Sequence, residues 1–140
     1  MAEPAITPRQ AAYVALAAGA VVAFASFLPW VEVRSGIGTF SVAGTEGSDG
    51  LITLAIGGIV ALAAFLGIEQ PSFTKRGVVF SGGVAAMVFA FWHISQRGGA
   101  SASIGGVELP TAPAFGLWLI AVAGLVVALA ASRMPIEDEP

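Results

Sequence analysis

The chain lacks cysteine entirely and has very few charged side chains. Without cysteine it can form no disulfide, thiolate nucleophile, cysteine-ligated zinc site or iron–sulfur cluster. Charged residues make up 11% of its 140 residues and hydrophobic residues 56%, whereas a soluble domain has about a quarter charged residues. The net charge of -3 comes largely from the acidic triplet at 137–139, and it argues against a nucleic-acid partner, which needs a clustered basic face. This composition is typical of a chain that lies mostly in a lipid bilayer.

Charge is also absent from four long apolar runs. None of them contains Lys, Arg, Asp or Glu, and each is about as long as the ~20 residues that a helix needs to cross a bilayer. The runs cover residues 11–30, 50–68, 77–94 and 114–132. We therefore predict one membrane domain over 1–140, an all-α antiparallel bundle of four transmembrane helices with outer loops at 31–49 and 95–113.

The first run has an alternative interpretation as a cleaved signal peptide. Arg9 precedes its apolar core, and residues 23–25 read Ala-Phe-Ala, a small-x-small pattern. Against this, Glu3 lies in the same N-terminal region, and the run continues to Trp30 and so reaches membrane-spanning length. Both features favour a retained helix.

The basic residues indicate which side of the membrane the termini occupy. Cytoplasmic loops retain Lys and Arg during insertion, and acidic residues count little. The N-tail, second loop and C-tail carry Arg9, Lys75, Arg76 and Arg133, whereas the other side has Arg34 and Arg97. We expect a multi-pass protein of the cell membrane with both termini cytoplasmic.

The tryptophans point to the same orientation. Trp30 closes the first run, Trp92 lies near the end of the third, and Trp118 lies near the start of the fourth. Amphipathic indoles prefer the membrane–water interface. We therefore expect all three, together with His93, at the outer interface.

Both outer loops have hairpin patterns. Apolar and polar residues alternate over 31–35 and 39–42 around a Gly-Ile-Gly turn, and a weaker version at 101–109 contains Gly105-Gly106. Because an isolated hairpin is marginal in water, we predict that the loops pair as a small outer β-layer, in one shared antiparallel sheet.

Helix starts are marked by capping residues. Thr7-Pro8-Arg9-Gln10 has the pattern of a capping box with proline at the first helical position. The other predicted caps are Ser48 or Asp49 for the second helix, Ser72 for the third, and Thr111 or Ala112 before Pro113 for the fourth.

The two halves of the chain resemble each other in plan, and residues 54–60 parallel residues 120–126. A parallel duplication would place a pseudo-twofold axis along the membrane normal. Apolar helices rich in small residues also match one another by coincidence, so both explanations stay open.

Small residues in the runs permit close helix approach, which matters because lipid provides no hydrophobic drive for helix association. The glycines that we predict at helix contacts are Gly19, Gly57, Gly58, Gly82, Gly83 and Gly124. They serve either to pack the bundle itself or to dock a partner.

The candidates for chemistry are sparse. His93 is the one histidine and could transfer protons or ligate haem, but beside Trp92 it is more simply an interfacial residue. Glu46, Asp49 and Glu108 could approach a hard cation, yet calcium needs roughly six to eight oxygens, and solvated carboxylates and a helix cap explain these residues better. We expect no catalytic residue, metal or cofactor.

Three short motifs accompany this plan. Phe27-Leu28-Pro29-Trp30 ends the first run, residues 44–50 read Gly-Thr-Glu-Gly-Ser-Asp-Gly, and Phe115-Gly116-Leu117-Trp118 opens the fourth run. In them the chain resembles small four-span integral membrane proteins of actinobacteria, a set without an assigned activity, so the resemblance implies topology and source rather than catalytic residues. The plan is also similar to that of claudin-like proteins by analogy only, because the paired loop cysteines of claudins are absent.

The apolar runs also limit the classes of function that we expect for this chain. Pumps and ion carriers place ionisable groups in their spans, whereas these runs offer mainly Ser26, Thr53 and Ser81 as polar side chains. We therefore expect a noncatalytic accessory, assembly or scaffold component that contacts another envelope protein or itself as a homo-oligomer. The alternative is a small carrier of lipid or another hydrophobic ligand, or an oligomeric pore lined by those three hydroxyls; a membrane enzyme comes third.

Overall fold

The computed structural model describes residues 6–35, 37–43, 48–97, 101–104 and 107–136, most of which are helical. The four helices of this part of the chain are α1 (Pro8–Ala25), α2 (Ser48–Glu69), α3 (Phe73–Arg97) and α4 (Phe115–Ala131). The strands are β1 (Pro29–Ser35), β2 (Gly38–Ala43), β3 (Ser101–Ile104) and β4 (Val107–Pro113). Each half of the chain therefore runs helix, strand, strand, helix.

Three of the helices in the described ranges, α1, α2 and α3, are long and apolar enough to cross a membrane. α4 is also apolar but has 17 residues, which at ~1.5 Å per residue gives it about 25 Å, a little less than the ~30 Å hydrocarbon core. Large apolar side chains point outward along these helices, among them Phe24, Leu62, Phe65, Val88 and Leu129. The chain is thus a membrane protein with transmembrane helices.

The helices pack around one another in the order α1, α2, α3, α4, and α4 returns to contact α1. We call the end at which α1 and α3 finish and α2 and α4 begin the sheet end, and the opposite end the far end. One cluster of buried residues lies toward the far end and contains Ala11, Ala15 and Val127. A second lies toward the sheet end around Trp30 and Ile120. Alanine dominates both clusters, which allows the helix axes to approach closely.

Two predicted caps are confirmed. At the start of α1, the Gln10 backbone N–H donates to Thr7 Oγ1 over 3.2 Å, and the Thr7 N–H donates to Gln10 Oε1 over 2.9 Å, so both halves of the capping box form. At the start of α3, the Lys75 N–H donates to Ser72 Oγ over 3.1 Å. Each cap satisfies helix-end donors that would otherwise have no protein partner.

The predicted cap of α4 is wrong. Its N-cap is Ala114, which makes no side-chain capping bond. Thr111 and Ala112 are unable to cap because they lie on β4, where they pair with Val33 and Glu32 of β1. Because strand pairing requires extended backbone through Pro113, α4 begins only after that residue.

α1 ends earlier than the first apolar run. Its last helical residue is Ala25, whereas Trp30 lies on β1. The Phe27 and Leu28 N–H groups donate to the carbonyls three residues back, at 3.0 and 3.1 Å, which is the pattern of a tightened final turn. Pro29 has no N–H to continue the helix and disfavours helical backbone in the residue before it. Apolarity alone therefore overestimated the length of the first helix.

The strands form one antiparallel sheet of order β2-β1-β4-β3. β1 pairs with β2 in the first hairpin, β3 with β4 in the second, and β1 with β4 between them through Val31, Glu32 and Val33. The predicted pairing of the two loops is confirmed. Gly38, which opens β2, has φ 147, a backbone conformation that favours glycine. Gly105 and Gly106, predicted to turn the second hairpin, lie outside the described residues.

Candidate functional site

The α1–α2 crossing is built on two glycines. A Cβ added at Gly57 would lie 2.5 Å from the backbone N of Ala23 and 2.8 Å from the carbonyl O of Gly19. A Cβ at Gly19 would lie 2.8 Å from Val60 Cγ1 and 3.0 Å from the backbone N of Ala61. Since backbone rather than flexible side chain occupies the space at Gly57, only glycine fits there without separating the helices.

The α3–α4 crossing repeats this arrangement. A Cβ at Gly83 would lie 2.7 Å from the backbone N of Ala128 and 2.8 Å from the carbonyl O of Gly124. A Cβ at Gly124 would in turn lie 2.8 Å from both the carbonyl O of Gly83 and the backbone N of Met87. Gly82 faces the α2–α3 contact instead, where an added Cβ would collide with the side chain of Val60.

Gly58 departs from the predicted set, and Gly116 adds to it. A Cβ at Gly58 would meet nothing within 4 Å, because one residue along a helix turns by about 100° and leaves Gly58 off the contact that Gly57 occupies. A Cβ at Gly116 would lie 2.7 Å from the Pro29 carbonyl O and 2.8 Å from Trp30 Cδ1. The Phe115–Trp118 motif contained this glycine, but spacing alone did not distinguish it from other glycines.

A hydroxyl pair lies at the sheet end of the α1–α2 contact. Ser26 and Thr53 are both fully buried, and their hydroxyl oxygens are 2.8 Å apart, so that either can donate. Whichever accepts can donate its own proton to a carbonyl of its helix, at Val22 (3.2 Å) or Gly50 (3.0 Å). Ser81 is exposed on α3, so the three hydroxyls considered for a pore do not share one surface.

Trp30 joins the two halves of the chain. It is 4% exposed, and its Nε1–H donates to the Ala25 carbonyl over 3.0 Å. Its own carbonyl accepts from the Ala114 N–H over 2.7 Å, at the start of α4. Trp92 and Trp118 are about half exposed at the same end. Trp30 is therefore buried among helix ends, whereas the other two have surface that can reach the surrounding lipid.

His93 lies in the last turns of α3 among aromatic rings. Its ring centroid is 4.6 Å from that of Phe89, 5.1 Å from Trp92 and 5.7 Å from Trp30. It is 7% exposed, and its Nε2 lies 3.3 Å from a carboxylate oxygen of Asp49, in the first turn of α2. An interfacial position beside Trp92 did not predict this burial or the carboxylate contact between α2 and α3.

An open pocket of about 350 Å³ adjoins this contact and is lined by Asp49, Trp92, His93 and Gln96. The described residues include no group of three or more His, Asp or Glu side chains placed to hold a metal ion. Of the other carboxylates considered for a cation, Glu46 lies outside the described residues, and Glu108 lies on β4 opposite Ser103. The geometry therefore gives one imidazole–carboxylate contact at the sheet end.

The first hairpin presents apolar side chains beyond the helices. Ile37 at its turn is 90% exposed, and Phe40 on β2 is 52% exposed. Phe40 pairs with Val33, which is buried, and cross-strand partners point to the same face of a sheet. Phe40 thus lies on the same face of the sheet as Val33 but is half exposed. β2 itself is an edge strand of the sheet.

Comparison of the chain with protein-family models, with curated proteins and with solved structures finds no match.

Proposed function

We propose that this chain is a four-span membrane protein with both termini in the cytoplasm, and that it acts as a noncatalytic accessory, assembly or scaffold component. Its partner is another envelope protein or a second copy of the chain, bound at the β2 edge and the apolar hairpin tip. The observation that carries this proposal is the exposure of Ile37 and Phe40 beside an edge strand.

Connectivity supports the fourth span. Because β1 and β4 pair in one sheet, both hairpins lie at the same end, and α4 has to return to the far end as α2 does. Arg76 Nη2 donates to the Ser132 carbonyl over 2.7 Å, which places the end of α4 beside the α2–α3 connection. Its short length is compatible with local bilayer thinning at modest cost.

The distribution of basic residues supports the orientation. Arg9, Lys75, Arg76 and Arg133 lie at the far end, and Arg34 and Arg97 at the sheet end. An excess of Lys and Arg is typical of the cytoplasmic side. The far end is therefore assigned to the cytoplasm and the sheet to the outside.

The cysteine-free chain offers a direct test of this topology. Single-cysteine variants Ser41→Cys on β2 and Gln70→Cys at the α2–α3 connection are both at exposed positions. In intact cells a membrane-impermeant maleimide should label the Ser41→Cys variant alone, and Gln70→Cys should react only after lysis. Labelling of Gln70→Cys in intact cells would contradict the proposed orientation.

An edge strand suits protein interaction for a physical reason. It offers backbone groups to a further strand, and an added strand gains affinity from main-chain hydrogen bonds and specificity from alternate side chains. Ile37 and Phe40 supply apolar surface for such a partner. The glycines at helix contacts are less suited to docking, since Gly19, Gly57 and Gly83 are already occupied by the helices of the chain itself.

Site-specific photocrosslinking tests the partner surface. A photoreactive phenylalanine replaces Phe40 in one variant and Phe65, an equally exposed position on α2 near the far end, in the control. We expect a discrete protein adduct from position 40 in native membranes and none from position 65. An adduct of twice the chain mass identifies a second copy, and a different mass identifies another envelope protein. Monomer alone at position 40, together with a monomeric native mass, would overturn the proposal.

A further inference from the structure

A groove lies at the far end between the start of α1 and the end of α2. Its volume is about 240 Å³, and its lining includes Arg9, Tyr13, Leu16, Phe65, Leu66 and Glu69. α1 contributes the cation and α2 the anion. The groove is remote from the sheet, so it is independent of the surface proposed above for partner binding.

The described residues place one charge of each sign at the rim of the groove. Arg9 and Glu69 are both exposed, and within the part of the chain that the structure describes neither side chain forms an ion pair or side-chain hydrogen bond. A guanidinium can bind a phosphate through two parallel N–H···O bonds. A carboxylate accepts hydrogen bonds from an ammonium group. Arg9 and Glu69 at the rim can therefore bind a ligand that has both a phosphate and an ammonium group.

The wall below the rim is apolar. Tyr13, Phe65 and Leu66 are exposed along it, and Leu16 is partly buried. From Arg9 to Leu16 the helix rises by roughly 10 Å at ~1.5 Å per residue. Over this length, a lipid whose phosphate lies at Arg9 can lay the first part of an acyl chain against these side chains.

We propose that this groove binds a phospholipid whose headgroup carries both a phosphate and a primary ammonium group, with Arg9 on the phosphate and Glu69 on the ammonium. Opposite charges on ligand and groove are matched one to one. A glycerol headgroup has no ammonium group. Its phosphate and the Glu69 carboxylate would then be two negative charges with no headgroup cation to offset their repulsion. A quaternary ammonium headgroup has no N–H to donate to the carboxylate, so it gains less from Glu69.

A second groove at the far end provides an internal contrast. It lies between α1 and α4, has a volume of about 280 Å³, and is lined by Ile6, Val14, Leu129 and Arg133, among others. Among the described residues, its lining contains no acidic side chain. The substitution Arg133→Gln thus removes the same charge at the same end of the protein without altering the Arg9–Glu69 groove, and serves as the matched control.

Native mass spectrometry of the full chain, released from nanodiscs, tests the proposal. The discs contain equal amounts of phosphatidylethanolamine, phosphatidylcholine and phosphatidylglycerol with identical acyl chains. We expect phosphatidylethanolamine to be retained about tenfold over the other two, the size expected for one hydrogen bond to a charged group. Glu69→Gln should remove that preference, Arg9→Gln should lower retention of all three, and Arg133→Gln should leave the preference intact.

The outcomes separate this proposal from its alternatives. Equal retention of the three lipids by the unmodified chain, or an unchanged preference in Glu69→Gln, would overturn it. Complete displacement of the lipid by water-soluble phosphoethanolamine would also overturn it, because the apolar wall would then contribute nothing. Thermal unfolding of each variant in detergent shows that it is folded. A failed crosslink at Phe40 would leave these results unaffected, since the groove shares no residue with the sheet.

Discussion

The α1–α2 pair and the α3–α4 pair cross in the same way but are closed differently at the sheet end. Both crossings place two glycines against facing backbone, Gly19 with Gly57 and Gly83 with Gly124. Toward the sheet, α1 and α2 are tied by the buried Ser26–Thr53 hydrogen bond. α4 instead begins against Trp30, a residue of the first half.

This difference shows that equal packing does not make the halves equivalent. The first pair is joined there by its own residues, Ser26 just after α1 and Thr53 on α2. The second pair needs the Trp30 carbonyl and indole to receive Ala114 and Gly116. The matching element order of the two halves is thus compatible with a one-sided dependence in the contacts, and substitutions in each half can measure that dependence.

The largest expected effect is at the α1–α2 crossing. Gly57→Ala should lower the free energy of unfolding by about 3 kcal/mol, the upper part of the range for overpacking, because the new methyl meets the Ala23 backbone. Thermal unfolding in detergent measures it. The neighbouring Gly58→Ala is the control, and since its Cβ meets nothing within 4 Å it should stabilise the helix by up to about 1 kcal/mol. Equal loss of stability in both variants would show that the crossing is placed incorrectly.

The equivalent change in the second half should be somewhat smaller. Gly124→Ala would place its Cβ 2.8 Å from the Gly83 carbonyl O and the Met87 backbone N, compared with 2.5 Å for the nearest atom at Gly57. We expect a loss of about 2 kcal/mol in the same unfolding measurement. A Gly124→Ala variant that is more stable than the unmodified chain would show that the two helix crossings are not packed in the same way.

The dependence of α4 on the first half is tested at Trp30. Trp30→Phe removes the indole N–H, so that among the described residues the Ala25 carbonyl keeps the Leu28 N–H as its donor, and the loss of this hydrogen bond costs about 0.5–1.5 kcal/mol. Trp118→Phe, at a half-exposed position on α4, should change the free energy of unfolding by less than about 0.5 kcal/mol. Hydrogen exchange should locate the added opening in the first turn of α4. Faster exchange confined to α1 would argue against Trp30 as the link between the halves.

The smallest effect is expected from the hydroxyl pair. A double-mutant cycle of Ser26→Ala and Thr53→Val, followed by thermal unfolding, should give a coupling of about 0.6 kcal/mol, the average for hydrogen bonds between membrane helices. Ser81→Ala, at an exposed position on α3, should show no coupling to either change. Zero coupling between Ser26 and Thr53 would mean that the hydrogen bond contributes no net stability.

Local sequence signals predicted much of the fold. The four helices follow from charge-free runs, the Thr7–Gln10 capping box from its spacing, and the shared sheet from two adjoining hairpin patterns. The end of α1 was missed because Phe27, Leu28 and Trp30 are as apolar as the residues of a helix, and hydropathy does not distinguish a buried strand from a span. Pro29 was the signal that could have located the boundary.

The candidate site was less predictable because it depends on contacts between distant segments. Nothing near His93 in the sequence indicates that Asp49 reaches its ring, since that contact requires α2 and α3 to start and end at the same level. Gly57 and Gly58 are the same residue type, and they differ only in which side of α2 they lie on. Gly57 lies on the side that contacts α1, and Gly58 does not. The sequence therefore identified glycines that permit close helix contact, and only the packed structure shows which of them lie at such a contact.

Because Trp30 precedes α4 in the chain, the residue that receives the start of α4 is synthesised before α4 itself. The α1–α2 hairpin carries its own contacts and can assemble as soon as both helices have entered the bilayer, before α4 has been synthesised. In the folded chain the Ala114 N–H at the start of α4 donates to the Trp30 carbonyl, and the Trp30 indole donates to Ala25. The N-terminal half thus supplies the residue against which the start of α4 is seated.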